Sequence, residues 1–261
     1  MTLQPLYTAQ NCTPAFQLRW SLSLFPKQPL PSPEHWLERL QAATEPDGVR
    51  VLECQTRQDS SIQFLISTTP AVPPPQIVKS VKGRLQHTLR PVAACEFRRN
   101  FRLTSLGDAR LEIVEDYVAR QLIRHPLADG ASSQSMEQFQ MTYPDTDLSQ
   151  PVNSAHGQYV IALHIVLVHA ERWRTCEASF HTVTKDAIHA TAAKKGHRIS
   201  RIAILADHVH LTAGVGYQAS PSEVVLAYMN NVAYRHAMLR MWIDSFYVGT
   251  IGPYDMAAVR S

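Results

Sequence analysis

The chain repeats its own sequence pattern, and this repeat constrains its fold more than any other feature. Segments of the first half align with segments of the second in the same order and with nearly the same spacing. One aligned pair has the alternation of a strand, and the next begins a helix-like stretch. The pattern predicts two similarly folded halves. The aligned pairs are 61–67 with 208–214, 75–79 with 222–226, and 101–107 with 246–252.

The order of elements is clearest in the second half. Strands are predicted at 159–168 and, as a pair or one bent strand, at 198–215; helices are predicted at 179–195, at 222–237 and after Gly252. This order indicates an α+β fold with helices on one sheet face. A polar, turn-rich stretch separates the halves and is typical of a linker. We therefore predict domains at 1–125 and 157–261, joined by a linker at 126–156.

Composition favours a globular protein. The chain has 261 residues, of which 45% are hydrophobic, and this is enough to build packed cores. No apolar stretch approaches the roughly 20 residues needed to span a bilayer. The N-terminal residues lack the basic and apolar regions of a secretory signal, so we predict a cytoplasmic protein without a membrane partner. The scattered cysteines, with no CxxC pair, suggest neither a zinc site nor a disulfide framework.

Basic residues are concentrated in one segment although the net charge is only +3. Between residues 79 and 110 they far outnumber the acidic ones, and such a segment can neutralise the phosphates of a nucleic acid. A solvated basic helix face is the alternative interpretation. The candidate nucleic-acid-binding residues are Lys79, Lys82, Arg84, Arg98, Arg99 and Arg102.

Two histidines separated by one residue form a candidate metal platform. Residues i and i+2 of a strand face the same way, so His208 and His210 would present adjacent imidazoles while Val209 packs into the opposite face. The chain has 12 histidines, and a His-apolar-His triplet can also arise by chance in such a sequence. A structural role for the pair is therefore the alternative.

A tyrosine and a glutamine lie one helical turn apart in the first half. The stretch 111–124 has helical periodicity, and the i, i+4 spacing places Tyr117 and Gln121 on one helix face. Tyrosine can act as a covalent nucleophile, and glutamine can offer a neutral oxygen ligand to a hard divalent cation. A half-buried tyrosine beside a solvent-facing glutamine is the alternative.

The histidine pair, preceded by Asp207, looks like the His-hydrophobic-His motif of the HUH single-tyrosine transposases of small insertion sequences. The stretch 117–121 resembles the tyrosine helix of the same family, and residues 246–252 are similar to the stretch that precedes that helix. The resemblance covers most of 159–261 and, more weakly, 18–124. It implies ferredoxin-like domains with an antiparallel sheet, which act as a dimer on single-stranded DNA hairpins with Mg²⁺ or Mn²⁺.

The family also implies that the tyrosine helix of one protomer can complete the histidine site of the other. The first half has Ser61 and Gln63 in place of the two histidines, whereas the second half keeps the histidines and stops before its tyrosine. The resemblance thus implies an intramolecular pseudo-dimer with one composite site. The implied metal ligands are His208, His210 and Gln121, and the implied nucleophile is Tyr117, which would form a 5′-phosphotyrosine.

Two function classes remain open at this stage. The first is a transposase-like endonuclease or strand transferase, in which one composite site cuts one strand unless two chains associate. The second is a catalytically silent protein that binds DNA hairpins, or RNA, after complementary losses in a decaying duplication. Metal-dependent covalent capture of single-stranded DNA discriminates between them, whereas hairpin binding alone does not.

Overall fold

The computed structural model describes residues 4–91, 95–125 and 130–253, the side chains of 130–132 excepted. We call residues 4–125 the first half and residues 157–253 the second half. The elements of the first half are β1 (Thr13–Gln17), β2 (Arg19–Pro26), α1 (Leu37–Thr44), β3 (Val49–Thr56), β4 (Ile62–Thr68), α2 (Pro74–Leu89), β5 (Phe97–Leu106), α3 (Leu111–Ala119) and α4 (Gln121–Arg124).

The second half follows a short connecting segment. The connection contains α5 (Gly130–Glu137), β6 (Gln140–Thr142) and β7 (Val152–Ser154). The second half contains β8 (Gly157–Val160), β9 (Ala162–Val168), α6 (Ala178–Lys195), β10 (Arg198–Ile204), β11 (His208–Gly214), α7 (Pro221–Arg235) and β12 (Ser245–Ile251). The strands and helices predicted between residues 159 and 237 are confirmed to within a few residues. The helix predicted after Gly252 lies outside the described residues.

The two halves build two six-stranded sheets that share the order of four adjacent strands. The first sheet runs β3-β4-β2-β5-β8-β7, and the second runs β6-β10-β11-β9-β12-β1. In both, a β-α-β-β-α-β segment contributes four adjacent strands in the chain order second, third, first, fourth. This observed α+β topology agrees with the sequence repeat, while the duplication itself stays a prediction.

Each half lends a strand segment to the sheet of the other. Strand β1 pairs in parallel with β12 of the second half, and β8 pairs in parallel with β5 of the first half. Only Leu18 separates β1 from β2, and only Ile161 separates β8 from β9. In each half, therefore, one nearly continuous extended segment begins in one sheet and ends in the other: β1–β2 in the first half and β8–β9 in the second. Within each half the four strands of the β-α-β-β-α-β segment pair antiparallel, as predicted, and each exchanged segment adds a parallel pair, so both six-stranded sheets are mixed.

Buried hydroxyls hold the two crossings in place. The backbone N–H of Arg19, just after the first crossing, donates to Thr250 Oγ1 at 2.8 Å. The backbone N–H of Ala162, just after the second, donates to Ser105 Oγ at 3.0 Å. Ser105 Oγ in turn donates to the carbonyl oxygen of Ile251 at 2.7 Å. Because Ser105 and Thr250 are aligned in the sequence repeat, the same contact serves both crossings.

The last strands of the two halves approach closely beside these crossings. A β-carbon added to Gly252 would collide with the carbonyl oxygen of Ser105, and one added to Gly107 would lie 3.1 Å from the carbonyl oxygen of Thr250. Both positions therefore require a residue without a side chain. The two glycines occupy aligned positions in the sequence, so the repeat includes the residues that let the halves meet.

Helices cover one face of each sheet, as predicted, and α3 adds a second layer. Helices α1 and α2 lie on the first sheet, and α6 and α7 lie on the second. Helix α7 begins at a capping box in which Glu223 N donates to Ser220 Oγ and Ser220 N donates to Glu223 Oε2. Helix α3 of the first half contacts β10 and β11. Among the helices of the described residues, none combines the length and apolar character needed to cross a membrane.

The segment predicted as a linker also contributes to both sheets. Strand β6 pairs with β10 at one edge of the second sheet, and β7 pairs with β8 at one edge of the first. Met136, Phe139 and Leu148 of this segment are at most 2% exposed. The segment thus does more than the linker that its polar, turn-rich sequence predicts. Burial of its apolar residues holds it against the two sheets.

We predict that Ser105→Ala destabilises the fold. The substitution leaves the Ala162 N–H and the Ile251 carbonyl without their buried partner, and each such loss costs about 1–3 kcal/mol. We therefore expect the free energy of unfolding to fall by about 2–4 kcal/mol in urea titrations. Ser245→Ala is the matched control, because Ser245 Oγ donates to Thr13 O at an exposed position of β12. Equal stability of the two variants would contradict a role of the crossing hydroxyls.

Candidate functional site: a histidine pair beside a tyrosine helix

Strand β11 presents the two histidines on the face of the second sheet that α6 and α7 do not cover. Its partner β9 places His210 opposite Val166 and His208 opposite Val168. His208 is 8% exposed and His210 is 4% exposed, whereas Val209 points into the core and is 1% exposed. The prediction that Val209 packs on the opposite face is therefore confirmed.

A neighbouring carboxylate orients His208. Its Nδ1 donates to Asp207 Oδ1 at 2.6 Å, which leaves Nε2 with a free lone pair. Burial lowers the pKa of His208 although Asp207 opposes this shift. Burial also raises the pKa of Asp207, but the His208 hydrogen bond and nearby arginines outweigh it and hold that pKa below its usual range. The pair is thus a carboxylate and a neutral imidazole at pH 7.

A third imidazole orients His210. His164 of β9 places Nε2 3.0 Å from Nδ1 of His210, and the two rings stack with centroids 5.3 Å apart. Burial lowers the pKa of His164 to about 4 and, together with the neighbouring imidazoles, that of His210 to about 2. Both rings are therefore neutral at pH 7, the form of histidine that binds metal ions.

Helix α3 carries Tyr117 from the first half to this face. Val118 is fully buried against Ala203 and Leu205 of the second half. The Tyr117 ring meets His210 edge-on with centroids 5.7 Å apart, and it meets His164 at 6.1 Å. The structure thus brings Tyr117 beside the histidines of the other half.

The predicted single helix over 111–124 is interrupted one turn after the tyrosine. Arg120 leaves helical geometry, with φ of −101° and ψ of 14°, and separates α3 from α4. Gln121 at the start of α4 is fully buried, and its Nε2 donates to the carbonyl oxygen of Tyr117 at 2.9 Å. Gln121 Oε1 is buried and has no hydrogen-bond partner among the described residues. The alternative of a solvent-facing glutamine is therefore wrong.

The donor set fits a hard divalent cation. Tyr117 lies four residues before Gln121 and contacts His210. His125 lies four residues after Gln121, and its ring centroid is 5.2 Å from that of His208. Gln121 lies midway between these two residues in the sequence, and its amide oxygen is of the kind that Mg²⁺ or Mn²⁺ binds. Within residues 4–91, 95–125 and 130–253, no group of three His, Cys, Asp or Glu side chains could hold a metal ion. A metal site here depends on the amide.

Residues that the sequence analysis did not select also border the site. His164 alternates with buried residues along β9 and faces the same side as His210, so strand periodicity could have identified it. The Arg124 guanidinium lies 4.9 Å from the Tyr117 ring centroid, although Arg124 follows the break at Arg120. Tyr247 of β12 meets His164 at 5.6 Å, and both line a cavity of about 580 Å³ with Tyr117. Nothing in the sequence alone marked Arg124 or Tyr247 as neighbours of the histidines.

The six basic residues proposed for nucleic-acid binding do not share one surface. Lys79, Lys82 and Arg84 lie on α2, which covers the core-facing side of the first sheet. Lys82 Nζ donates to the carbonyl oxygen of Arg98 at 2.7 Å, and Arg84 pairs with Asp47 at 3.1 Å. The remaining residues, Arg98, Arg99 and Arg102, are exposed on β5, where Arg102 alternates with buried Phe101 and Leu103 and faces away from α2.

We predict that Val118→Ala loosens the tyrosine helix. The substitution leaves a cavity at the contact of α3 with the second sheet, which we expect to cost about 2 kcal/mol. Hydrogen exchange of the α3 amides should accelerate accordingly. Ile113→Ala on the same helix is the control, since Ile113 is 59% exposed and its loss should change stability by less than about 0.5 kcal/mol. If α3 were not docked on the second sheet, both variants would behave alike.

Comparisons with known proteins locate the family signal in the second half. Residues 157–261 match the family described as "Transposase IS200 like". Two similar solved structures are a candidate transposase from Deinococcus radiodurans R1 (19% identity, 42% of this chain and 93% of that chain, TM-score 0.35) and a REP-associated tyrosine transposase bound to a REP hairpin (13% identity, 38% and 59%, TM-score 0.31). No curated protein matches the chain. The family match confirms the resemblance over residues 157–261.

Proposed function

We propose that the chain is a single-stranded DNA endonuclease and strand transferase with one composite active site. The position of Tyr117 carries the proposal, because a tyrosine of the first half lies 5.7 Å from His210 of the second half between ring centroids. In this proposal 1–125 and 157–261 are two HUH-type domains that form an intramolecular pseudo-dimer through 126–156. The reciprocal strand exchange supports that arrangement.

Tyr117 is the proposed nucleophile. Its phenolic oxygen loses its proton and attacks the scissile phosphorus, the bond to the 3′ oxygen breaks, and the departing oxygen takes up a proton. The products are a 5′-phosphotyrosine and a free 3′-hydroxyl, which can attack the phosphotyrosine in the reverse step. The cationic Arg124, 4.9 Å from the Tyr117 ring, would attract the phosphate to the nucleophile.

His208, His210 and Gln121 are the proposed ligands of Mg²⁺ or Mn²⁺. When bound, the cation polarises the phosphate and neutralises its developing charge. Asp207 and His164 occupy the Nδ1 atoms of the two histidines and thereby direct both Nε2 atoms away from these partners. The protein thus supplies neutral, oriented imidazoles and a buried amide oxygen.

One chain would provide one cleavage centre in this proposal. Strand register makes Gln63 of the first half equivalent to His210 and Ser61 equivalent to His208, so this sheet lacks the imidazole pair. Cutting two strands together would then require two chains to associate. The proposed substrate is a single-stranded DNA hairpin, as the family resemblance implies.

We predict that Tyr117→Phe abolishes covalent capture. Wild type should form a denaturation-resistant adduct with hairpin oligonucleotides in Mg²⁺ or Mn²⁺, whereas the variant lacks the attacking oxygen. Hairpin binding, measured by fluorescence anisotropy, should change less than about twofold because the ring remains. Gel mobility and mass spectrometry of the adduct provide the measurement.

Tyr247→Phe is the matched control for this experiment, since Tyr247 borders the same cavity. It should retain the adduct. If the adduct persists in Tyr117→Phe but disappears in Tyr247→Phe, the nucleophile is Tyr247 and the assignment of Tyr117 is wrong. Hairpin binding with no adduct in wild type would favour the catalytically silent protein, and an RNA hairpin of the same sequence tests the RNA alternative.

We also predict that His210→Ala reduces the rate of adduct formation at least about 100-fold at saturating Mn²⁺, because the cation contributes several kcal/mol to charge stabilisation. EDTA should have the same effect on wild type and leave hairpin binding in place. His189→Ala is the control, since His189 lies on α6, away from the candidate site, and its side chain is hydrogen-bonded to Tyr143. Unchanged rates in both histidine variants would refute the assigned metal ligands.

A further inference from the structure

A polar cavity occupies the open face of the first sheet, at the place that corresponds to the histidine site of the second. It has a volume of about 330 Å³, near the lower end of the range for small-molecule sites of about 300–1,000 Å³. Its floor comes from β2, β4 and β5, and its lining includes Ser21, Phe25, Ser61, Gln63 and Arg102.

Strand register shows the correspondence. Gln63 pairs with Ser23 of β2 just as His210 pairs with Val166 of β9. The contact between His164 and His210 has its counterpart in Gln63 Nε2, which donates to Ser21 Oγ at 2.5 Å. The first half thus keeps the shape of the site and replaces its imidazoles with an amide and hydroxyls.

Gln63 has hydrogen-bonding capacity that the described protein groups do not use. The side chain lines the cavity and is 8% exposed, and its Oε1 is buried without a partner. Reversing the amide would leave Nε2 unpartnered instead, so one polar end of the group is unsatisfied in either orientation. A buried amide in this state favours a ligand that offers both donors and acceptors.

The cavity rim combines positive charge with apolar surface. Arg57 and Arg102 line it together with one carboxylate, Asp59, whose Oδ1 accepts from Ser61 N and Oγ. The lining therefore carries a net positive charge. Phe25 is half-buried and forms part of the apolar wall. The cavity therefore suits a ligand that has an anionic group to contact the arginines and a flat ring to pack against Phe25. A nucleotide has both.

We propose that this cavity binds one nucleotide of single-stranded DNA and does not cleave it. Arg102 contacts the phosphate, Phe25 packs against the base, and the Gln63 amide bonds to the base edge. Among the described residues, its lining contains neither an imidazole nor a tyrosine, so in this proposal the nucleotide is held without metal-assisted attack. The inference rests on the proposed function, because it assumes that single-stranded DNA reaches the protein, and it gives the chain a holding site besides its cutting site.

Metal-free binding tests the proposal. A fluorescein-labelled oligothymidylate of about 12 nucleotides is titrated into the full chain in EDTA and about 0.1 M salt. Arg102→Gln and Gln63→Leu should each raise the Kd at least about fivefold, and the Arg102 variant should flatten the salt dependence. Arg39→Gln is the control, since Arg39 is exposed on α1 beyond the opposite face of the same sheet, and it should stay within about twofold of wild type.

Photocrosslinking supplies an independent measurement that does not depend on a substitution. Wild type irradiated with a 4-thiothymidine oligonucleotide should give crosslinked peptides that contain Phe25 or Arg102. Binding by Arg102→Gln equal to that of the control, or crosslinks confined to the second half, would overturn the proposal.

The proposed chemistry at Tyr117 and the proposed holding site can fail separately. If wild type forms no adduct but its binding of the oligonucleotide depends on Arg102, the chemistry is rejected and the holding site is retained. A Tyr117-dependent adduct with no effect of Arg102→Gln and Gln63→Leu on binding would retain the chemistry and reject the holding site.

Discussion

The reciprocal crossing of two strands is the constraint on which the rest of the structure depends. Because β1 extends β2 into the second sheet and β8 extends β9 into the first, each half is bonded to the last strand of the other. Ser105 and Thr250 satisfy the backbone at the crossings, where an unpaired polar group would be costly. The crossings hold β5 close to β12. The chain that leaves β5 therefore continues along the second sheet.

That exit explains how a tyrosine of the first half comes to lie beside histidines of the second. Helix α3 begins shortly after β5, and burial of Val118 holds it against β10 and β11. Tyr117 consequently lies beside the histidine pair that β11 of the second half carries. The side chains differ although the strand order is shared, since the equivalent positions of the first sheet carry Ser61 and Gln63.

Sequence reasoning predicted the local parts of this arrangement well. The repeat, the β-α-β-β-α order and the shared face of the histidines follow from periodicity, which depends only on backbone geometry. The strand exchange was missed because the alternation of 157–168 is the same whichever sheet each part joins. The interruption at Arg120 and the burial of Gln121 were missed because docking on the second sheet, not helix propensity, decides them.

The sequence by itself determined which groups exist and which neighbours share a strand or helix face: His208 with His210, and Tyr117 with Gln121. Only the tertiary structure decided that Tyr117 meets His210, that His164 and Asp207 orient the imidazoles, and that the six basic residues separate onto different surfaces. The physical reason is range. Periodicity acts over one or two turns of backbone, whereas contacts between residues about 90 positions apart arise from the burial and hydrogen bonding of whole sheets.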